Sequence, residues 1–545
     1  MENSEANTQL QQEKMVTGTA WLSLANIISR LLGAVYIIPW YALMAPYGDR
    51  ANTLYAMGYN VYALFLLLST IGIPVAVAKE VARYNALDDE NMAYRLVRQM
   101  LVFMAALGVL MAIILYFASP ALAAASGGTK ALIPVMRSLA LAILILPFMS
   151  VIRGYFQGLN EMKAFAVSQI YEQIVRVVWM LVTAFVIMKL GSKNWQSAVT
   201  ESTTAAFIGA IASTIVLIVY LVREGHVQKI LFPGPSVSKL KPIPLLVQTI
   251  IAALPFVVTG SAIQIFKLID QMTFVNVMLK ITSFPKAQLN DFFAYFSANT
   301  DKITMILIAV ALTLGDVGLP LITAAFTKRH KKEVAYLISY NLQFFTAFML
   351  PAVMGVVILA KPIYTLFYTV PNALQIQLFV YAALQSFILT LLALAWLFLQ
   401  AMQHSRDAMR YFIITLVIKV IIQVPCIFIF HTFGPLMATT IAFLVGTYLS
   451  MKKIKQVSHY KTQTVWRGVF AIGMLTSIMV LFVMLIYTLL QLIFRDSPSK
   501  LIALITLVIS GGAGFYLYVW CAAKLGLLEK FMGERGTSLR RKLHL

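Results

Sequence analysis

The stretch VTGTAWLSLANIISRLLGAVYIIPWYALMA, residues 16–45, contains a single charged residue, Arg30. About 20 apolar residues suffice to cross the hydrocarbon core of a bilayer as a helix, so this stretch predicts a transmembrane span. Similar runs recur along the chain and predict two sets of six spans, followed by two more near residues 466–493 and 500–523. We therefore expect an all-α integral membrane protein with about 14 transmembrane helices.

The composition and the charge distribution agree with this interpretation. Of the 545 residues, 60% are hydrophobic and 12% are charged, whereas soluble domains carry about 25% charged residues. This argues against a cytosolic enzyme. The formal net charge is +22, and most Lys and Arg residues fall in loops on the N-terminal side of the predicted spans, which places both termini in the cytoplasm without any need for nucleic acid. Residues 1–15 are polar and lack the features of a signal peptide, so we expect a cytosolic tail there.

The chain also repeats itself. IGIPVAVAKEVARY at 71–84 matches VGLPLITAAFTKRH at 317–330, and FQGLN at 156–160 matches LQAMQ at 399–403. A parallel repeat of six helices is typical of transporters, although chance similarity between apolar helices is the alternative. The first match pairs Gly72 with Gly318 and Pro74 with Pro320. These four residues are candidate hinges, because proline removes a helical hydrogen bond, or else kinks without motion.

The repeat divides the chain into four predicted segments. Residues 1–225 form an N-terminal lobe of six helices, and residues 245–456 form a C-terminal lobe of six more. Residues 226–244, which are basic and rich in proline, form a cytoplasmic linker between the lobes. Residues 457–545 supply the last two helices and a basic cytoplasmic tail.

Charges inside the predicted spans give the strongest functional signal, because each Arg or Lys costs about 2.5–3.5 kcal/mol at the bilayer centre on insertion scales. Arg176 and Lys419 are 243 residues apart, which equals the offset of the second repeat match, so each lobe receives one cation. With Arg30 and Lys302 they would line one cavity between the lobes. An excess of cations suits an anionic substrate, and the Arg fork suits phosphate oxygens. The six cations in predicted spans are Arg30, Arg137, Arg176, Lys267, Lys302 and Lys419.

Ion pairing within the protein is the alternative role for these charges. Glu172 precedes Arg176 by four residues, a favourable helical spacing. Lys267 and Asp270 are three residues apart on one face of span 7. We expect Lys267 and Arg137 to be structural, the latter because it lies close enough to the outer interface to snorkel.

Known catalytic motifs are absent from the sequence. It contains no GxxxxGKS or GxxxxGKT loop for ATP, no HExxH, no GxSxG and no Cys/His cluster, so we expect neither an enzyme nor a bound metal or cofactor. Cys426 and Cys521 are far apart in apolar runs and predict no disulfide.

Four stretches carry a family resemblance: GTAWLSLANIISRLLGAVYIIP at 18–39, IGIPVAVAKE at 71–80, RGYFQGLNEM at 153–162 and VGLPLITAAF at 317–326. Together with the predicted spans they resemble the polysaccharide biosynthesis and export branch of the multidrug/oligosaccharidyl-lipid/polysaccharide flippase superfamily. Within that branch, the chain is most similar to the MurJ-type lipid II flippases of Gram-positive bacteria. The resemblance implies two six-helix lobes that form a V, with spans 13 and 14 building a groove for a polyprenyl tail.

The resemblance also implies roles for individual residues. Arg30 matches an arginine of the Ser-Arg-x-Leu-Gly motif in span 1, and Lys302 matches a cation on span 8. Tyr36 stands where the family has a second arginine, and span 2 lacks the family's arginines. Some members bind sodium through acids on spans 7 and 11. Asp270 fits the first position, but span 11 offers Lys419, so we hypothesise that its ammonium replaces the ion. Coupling to sodium or to protons stays open at this point.

The expected function is that of a monomeric flippase, surrounded by membrane lipids in the bacterial cytoplasmic membrane. Its substrate would be a lipid-linked oligosaccharide pyrophosphate, foremost lipid II. Three alternatives remain. The substrate could be a teichoic-acid or capsule precursor, or the protein could be a multidrug/cation antiporter that depends on Glu172. It could also be a glycan polymerase using a carboxylate near the outer face, for which Asp49, Asp291 and Asp496 are available.

Overall fold

The computed structural model describes residues 31–33, 35–70, 72–87, 89–127, 130–234, 257–494 and 499–532, together with residues 21, 25, 28, 29, 247, 251, 254 and 255. Within these residues the regular elements are all helices, and no strand occurs. The predicted all-α fold class is therefore confirmed.

The first of two compact units covers Met1–Asn276. Its described helices are α1 (Ile37–Leu43), α2 (Gly48–Thr70), α3 (Ile73–Ala86), α4 (Glu90–Ala125), α5 (Leu132–Gly158), α6 (Met162–Phe185, continued by a π-helical turn at Val186–Leu190), α7 (Trp195–Arg223), α8 (His226–Leu231) and most of α9 (Ala262–Ile281).

The second compact unit covers Val277–Leu545. It contains the end of α9, then α10 (Lys286–Phe293, continued by a π-helical turn at Ala294–Ala298), α11 (Asn299–Thr327), α12 (Lys331–Ile358), α13 (Ala360–Phe367), α14 (Ala373–Ala401), α15 (Ser405–Phe430), α16 (Gly434–Ser458), α17 (Thr462–Phe494), α18 (Lys500–Lys524) and α19 (Leu527–Met532).

The division between the units falls inside α9, because the first part of this helix packs within the first unit. Gln271 of α9 accepts a hydrogen bond from Asn60 at 3.1 Å and donates to Ser126 at 2.9 Å. It also donates to the carbonyl of Met57 at 3.1 Å. The segment bounds expected from the sequence stay a prediction, and residues 235–244 of the predicted linker lie outside the described residues.

Helix length and hydropathy agree with a membrane protein. Among the described residues, 11 helices or joined helices are long and apolar enough to cross a bilayer. One of these runs, Ser405–Ser458, consists of α15 and α16, separated by a 3₁₀ turn at His431–Phe433. The protein is therefore a multi-pass membrane protein, and the count of fourteen spans stays a prediction.

Local sequence explains several helix starts. Asn194 precedes α7 and accepts hydrogen bonds from the backbone amides of Gln196 and Ser197 at 3.0 and 3.3 Å. Asn372 and Gln375 form a reciprocal capping box at the start of α14. Both devices satisfy amides that a helix leaves without partners at its first turn.

The sequence repeat is visible in the way two helices end. Asn160 follows α5 with φ of 60°, and Gln403 follows α14 with φ of 62°; the two residues are one repeat offset apart. The next residues donate backwards in the same manner, from the Glu161 amide to the Phe156 carbonyl at 2.9 Å and from the His404 amide to the Leu399 carbonyl at 2.8 Å. Such left-handed C-terminal turns are a recurring way to close a helix. The shared geometry supports a structural repeat at this point of each unit.

The four candidate hinge residues behave differently in the two units. Gly72 has φ of 60° and separates α2 from α3, with Pro74 in the first turn of α3. In contrast, Gly318 and Pro320 lie inside the continuous helix α11. Only the first pair therefore coincides with a helix break in this conformation, and motion at either pair stays a prediction.

Two glycines bring the helices of the first unit close together. A Cβ on Gly154 of α5 would lie 2.6 Å from the carbonyl oxygen of Pro74 in α3. A Cβ on Gly209 of α7 would lie 2.9 Å from the carbonyl oxygen of Glu172 in α6. Since any larger residue would force the backbones apart, these contacts fix the helices that carry the charged residues described next.

Candidate functional site

Arg176 lies half-buried on α6 beside three tyrosines of α2. Its Nη2 donates to the Tyr59 hydroxyl at 3.2 Å, and its guanidinium carbon lies 5.7 Å from the centroid of the same ring. The rings of Tyr55 and Tyr62 pack on Tyr59 with centroids 5.7 and 5.2 Å away. A guanidinium has five N–H donors, and the described part of the chain provides Arg176 with one hydrogen-bond acceptor. The group is thus positioned by tyrosines while keeping donors for an anion.

Glu172, one helical turn before Arg176, binds a different arginine from the one that the sequence predicts. The carboxylate accepts a hydrogen bond from Nη2 of Arg153 at 2.8 Å. Arg153 also donates to Ser168 at 3.2 Å and to Ser213 at 2.9 Å. Glu172 interacts electrostatically with Arg176 at longer range. Arg176 forms no ion pair within the described residues.

Arg153 is a charged residue beside the site that the sequence interpretation missed. Helix α5 continues to Gly158, so Arg153 lies within its last two turns. The side chain is 14% exposed and points to α6 and α7. A signal for this pairing is present, because Ser168 and Glu172 are four residues apart and therefore share a helix face.

Arg30 lies outside the described residues, so its predicted role in substrate contact stays untested. Gly33, three residues later, is described. A Cβ built there would lie 3.4 Å from Nε2 of Gln173, a van der Waals distance. The first span therefore contacts α6 close to Arg176.

Lys419 occupies a very different environment from Arg176, although the repeat pairs the two residues. Its side chain is 0% exposed, inside the second unit. The ammonium donates to the Pro435 carbonyl at 2.9 Å and to the Thr439 hydroxyl at 2.5 Å, both on α16. In this conformation Lys419 joins α15 to α16, so a substrate cannot reach it, and its predicted part in substrate binding would require another conformation.

The remaining predicted residues lie on two helices. Lys302 is half-buried on α11 in the second unit. Lys267 is half-buried and Asp270 is buried on α9, within the first unit. All three interact with other residues of the protein. Of the predicted site, Glu172 and Arg176 thus lie one turn apart on α6, and Lys267 and Asp270 lie one turn apart on α9.

A second polar cluster lies at the ends of helices that are predicted to be cytoplasmic, and the sequence interpretation did not foresee it. Carboxylate oxygens of Glu161 and Glu224 and a ring nitrogen of His226 all lie within 4.8 Å of one another, a grouping able to hold a metal ion. Burial, followed by the hydrogen bond and charge of Glu161, raises the pKa of Glu224 to about 7. Burial lowers the pKa of His226. The cluster joins residues 63 positions apart, and no sequence motif marks it.

Comparison with known sequences identifies related proteins. A family model described as "Polysaccharide biosynthesis protein" matches residues 15–326. The chain is 30% identical over 542 residues to "Lipid II flippase MurJ" of Bacillus subtilis (strain 168), covering 97% of this chain and 98% of that protein.

Solved structures show the same fold. A structure of "Lipid II flippase MurJ, inward closed conformation" matches with a TM-score of 0.65 and 14% identity, covering 93% of this chain and 98% of that one. An inward-facing multidrug resistance MATE family transporter of the MOP superfamily matches with a TM-score of 0.62 and 16% identity, covering 78% and 95%. The full-length similarity together with the family match leads to one conclusion: the chain belongs to the polysaccharide biosynthesis protein family and, within it, groups with the MurJ proteins.

Proposed function

We propose that this protein is a flippase that moves lipid II, the lipid-linked peptidoglycan precursor, from the cytoplasmic to the outer leaflet of the bacterial cytoplasmic membrane. The observation that carries this proposal is the 30% identity to "Lipid II flippase MurJ" over 97% of the chain. The protein acts as a monomer by alternating access, without catalysis. Both of its termini lie in the cytoplasm.

The chemistry around Arg176 supports an anionic headgroup as the substrate. Lipid II carries a pyrophosphate, whose oxygens match the paired donors of a guanidinium. Arg176 keeps donors available, because Glu172 is bound by Arg153. A cationic drug would meet repulsion at this position, and the acid that a multidrug/cation antiporter would need is already paired.

The hydrophobic tail of the substrate needs no polar path. Helices α17 and α18 expose large apolar side chains, which suit contact with lipid chains. They include Phe470, Leu481, Leu485, Val508 and Phe515, each more than half exposed. We place the polyprenyl tail along this face of the second unit, while the headgroup passes through the protein.

The direct test measures lipid II in the outer leaflet of intact cells in which this protein is the single candidate flippase. Wild type is compared with Arg30→Ala and Lys302→Ala at matched expression. We expect both variants to lower outer-leaflet lipid II at least tenfold, because each removes a cation that would bind pyrophosphate, at about 1.5–3 kcal/mol per hydrogen bond to a charged group. Lipid II accumulates on the cytoplasmic side at the same time.

Depletion of the protein provides the decisive comparison. If outer-leaflet lipid II persists after depletion, lipid II is not the substrate. Accumulation of a teichoic-acid or capsule precursor in the same cells would then identify a different polyprenyl-linked glycan. Normal exposure in both alanine variants would contradict the roles of Arg30 and Lys302 while leaving the substrate in place.

We further propose that transport does not require sodium. Lys419 lies on predicted span 11, where the family resemblance places a sodium-binding acid in some members. Its buried ammonium already donates hydrogen bonds to two oxygens of α16. Because the Lys419 ammonium supplies a fixed positive charge at this position, no bound sodium ion is needed there. Transport measured in proteoliposomes should therefore be equal in sodium and in choline buffers, and strict dependence on sodium would contradict the proposal.

A further inference from the structure

Three potential metal ligands meet where helices of the first unit end. Glu161 is the residue before α6, Glu224 is the residue after α7, and His226 begins α8. Their ligand atoms lie within 4.8 Å of one another. Zinc holds nitrogen and oxygen ligands about 2.0–2.2 Å away, so small side-chain rotations would bring all three atoms to one ion.

The imidazole of His226 is already oriented for such a role. Its Nδ1 lies 3.2 Å from the hydroxyl of Tyr94 on α4, within hydrogen-bond distance. Its Nε2 lies 3.6 Å from a carboxylate oxygen of Glu224. A histidine that has one ring nitrogen fixed by a neighbour and the other facing carboxylates has the arrangement found in metal-binding sites.

Two side-chain oxygens beside His226 lack hydrogen-bond partners among the described residues. Oε2 of Glu161 is buried and has no hydrogen-bond partner within the described ranges. The hydroxyl of Tyr155, whose side chain is 1% exposed, also has no partner within hydrogen-bond geometry among the described residues. The ring of Tyr155 packs on that of His226 with centroids 5.5 Å apart, and its hydroxyl interacts electrostatically with Tyr94 first and then with Glu161 and Glu224. Buried oxygens without donors are costly, and a cation would satisfy them.

No Lys or Arg of the described residues forms an ion pair with Glu161 or Glu224. Lys229 instead lies over the ring of Tyr94, with its Nζ 5.7 Å from the centroid. The two carboxyl groups therefore face each other without a balancing cation, in agreement with the raised pKa of Glu224.

The equivalent position in the second unit is balanced by the protein itself. His404 follows Glu161 by one repeat offset. Its Nδ1 lies 2.9 Å from Asp407, which also pairs with Lys453 at 3.2 Å and with Arg410 at 3.7 Å. One carboxylate there has three cationic or ionisable partners, whereas the first unit has two carboxylates and one imidazole.

From this arrangement we propose that Glu161, Glu224 and His226 bind a divalent transition-metal cation such as Zn²⁺, with the Tyr155 hydroxyl beside it. Carboxylate and imidazole ligands suit Zn²⁺ and its neighbours in the series. The ion would join the ends of α6 and α7 to α8, and through His226 to Tyr94 of α4.

Zinc binding tests the proposal without any measurement of transport. The full-length protein, purified with a tag that contains no histidine, is dialysed against buffered Zn²⁺, and the bound metal is counted by mass spectrometry. We expect roughly one zinc ion per chain in the wild type. Glu161→Gln, Glu224→Gln and His226→Gln should each weaken the affinity about tenfold or more, because each removes one ligand.

His330, the residue before α12, and Glu333 in the first turn of α12 supply a matched control. These residues are exposed and their side chains lie 3.0 Å apart, and the described part of the chain offers no third ligand beside them. His330→Gln should therefore bind zinc like the wild type. Equal binding by the wild type and by all three cluster variants would overturn the proposal, as would the absence of binding in the wild type. In the latter case the two carboxyl groups would share a proton instead.

Discussion

Arg176→Ala is expected to lower outer-leaflet lipid II at least tenfold in cells that depend on this protein. Hydrogen bonds to a charged group contribute about 1.5–3 kcal/mol each, and about 1.4 kcal/mol corresponds to a factor of ten in an equilibrium constant. The loss of two hydrogen-bond donors to a pyrophosphate should therefore weaken substrate binding more than tenfold. Arg176→Lys keeps the charge but loses the fork, and should retain part of the activity. The measurement is the labelling of lipid II on intact cells at matched protein levels.

Arg137 offers a matched control in the same unit. It is a second arginine within a span, but its Nε donates to Ser119 at 3.3 Å and its guanidinium carbon lies 4.4 Å from the ring centroid of Tyr116. These contacts within the first unit hold the Arg137 side chain in place. Arg137→Ala should therefore leave lipid II exposure close to the wild-type level. Equal losses in the two alanine variants would show that any arginine in a span is needed for folding, and would remove the argument for Arg176.

The helical architecture could be predicted from the sequence because a bilayer allows few solutions. Backbone groups in hydrocarbon must pair within their own segment, so long apolar runs become helices. The repeat could also be predicted, and the left-handed residues Asn160 and Gln403 close equivalent helices in both units. The division of the long run Ser405–Ser458 could be predicted as well, because HTFGP at 431–435 interrupts the apolar sequence where the turn at His431–Phe433 separates two helices.

The pairing of charges was less predictable, because it depends on neighbouring helices. An ion pair between Glu172 and Arg176, one turn apart on a helix, would contribute only about 0.2–0.5 kcal/mol. The Glu172 carboxylate instead pairs with Arg153 of α5. Likewise, the repeat placed Arg176 and Lys419 at equivalent positions but could not show that one contacts tyrosines and the other a backbone carbonyl. Contacts between segments distant in sequence decide both outcomes.

Breaking the pair of Arg153 and Glu172 is expected to give the largest loss of stability. The two side chains are 14% and 18% exposed, so the pair is largely but not fully buried. Removing one partner of a fully buried pair costs about 3–5 kcal/mol because the other charge stays buried, and we expect a loss that approaches this range. Arg153→Ala also removes the donors to Ser168 and Ser213. The variant should unfold at a clearly lower temperature, followed by intrinsic tryptophan fluorescence of the protein in detergent.

A double variant separates the pair from the individual side chains. Arg153→Met combined with Glu172→Gln removes both charges and should recover much of the stability, since no isolated charge remains. Arg410→Ala serves as the control for a surface pair: Arg410 is 73% exposed and lies 3.7 Å from Asp407, so its loss should cost less than about 1 kcal/mol. If the double variant is as unstable as Arg153→Ala, the cost comes from the contacts of Arg153 with the serines.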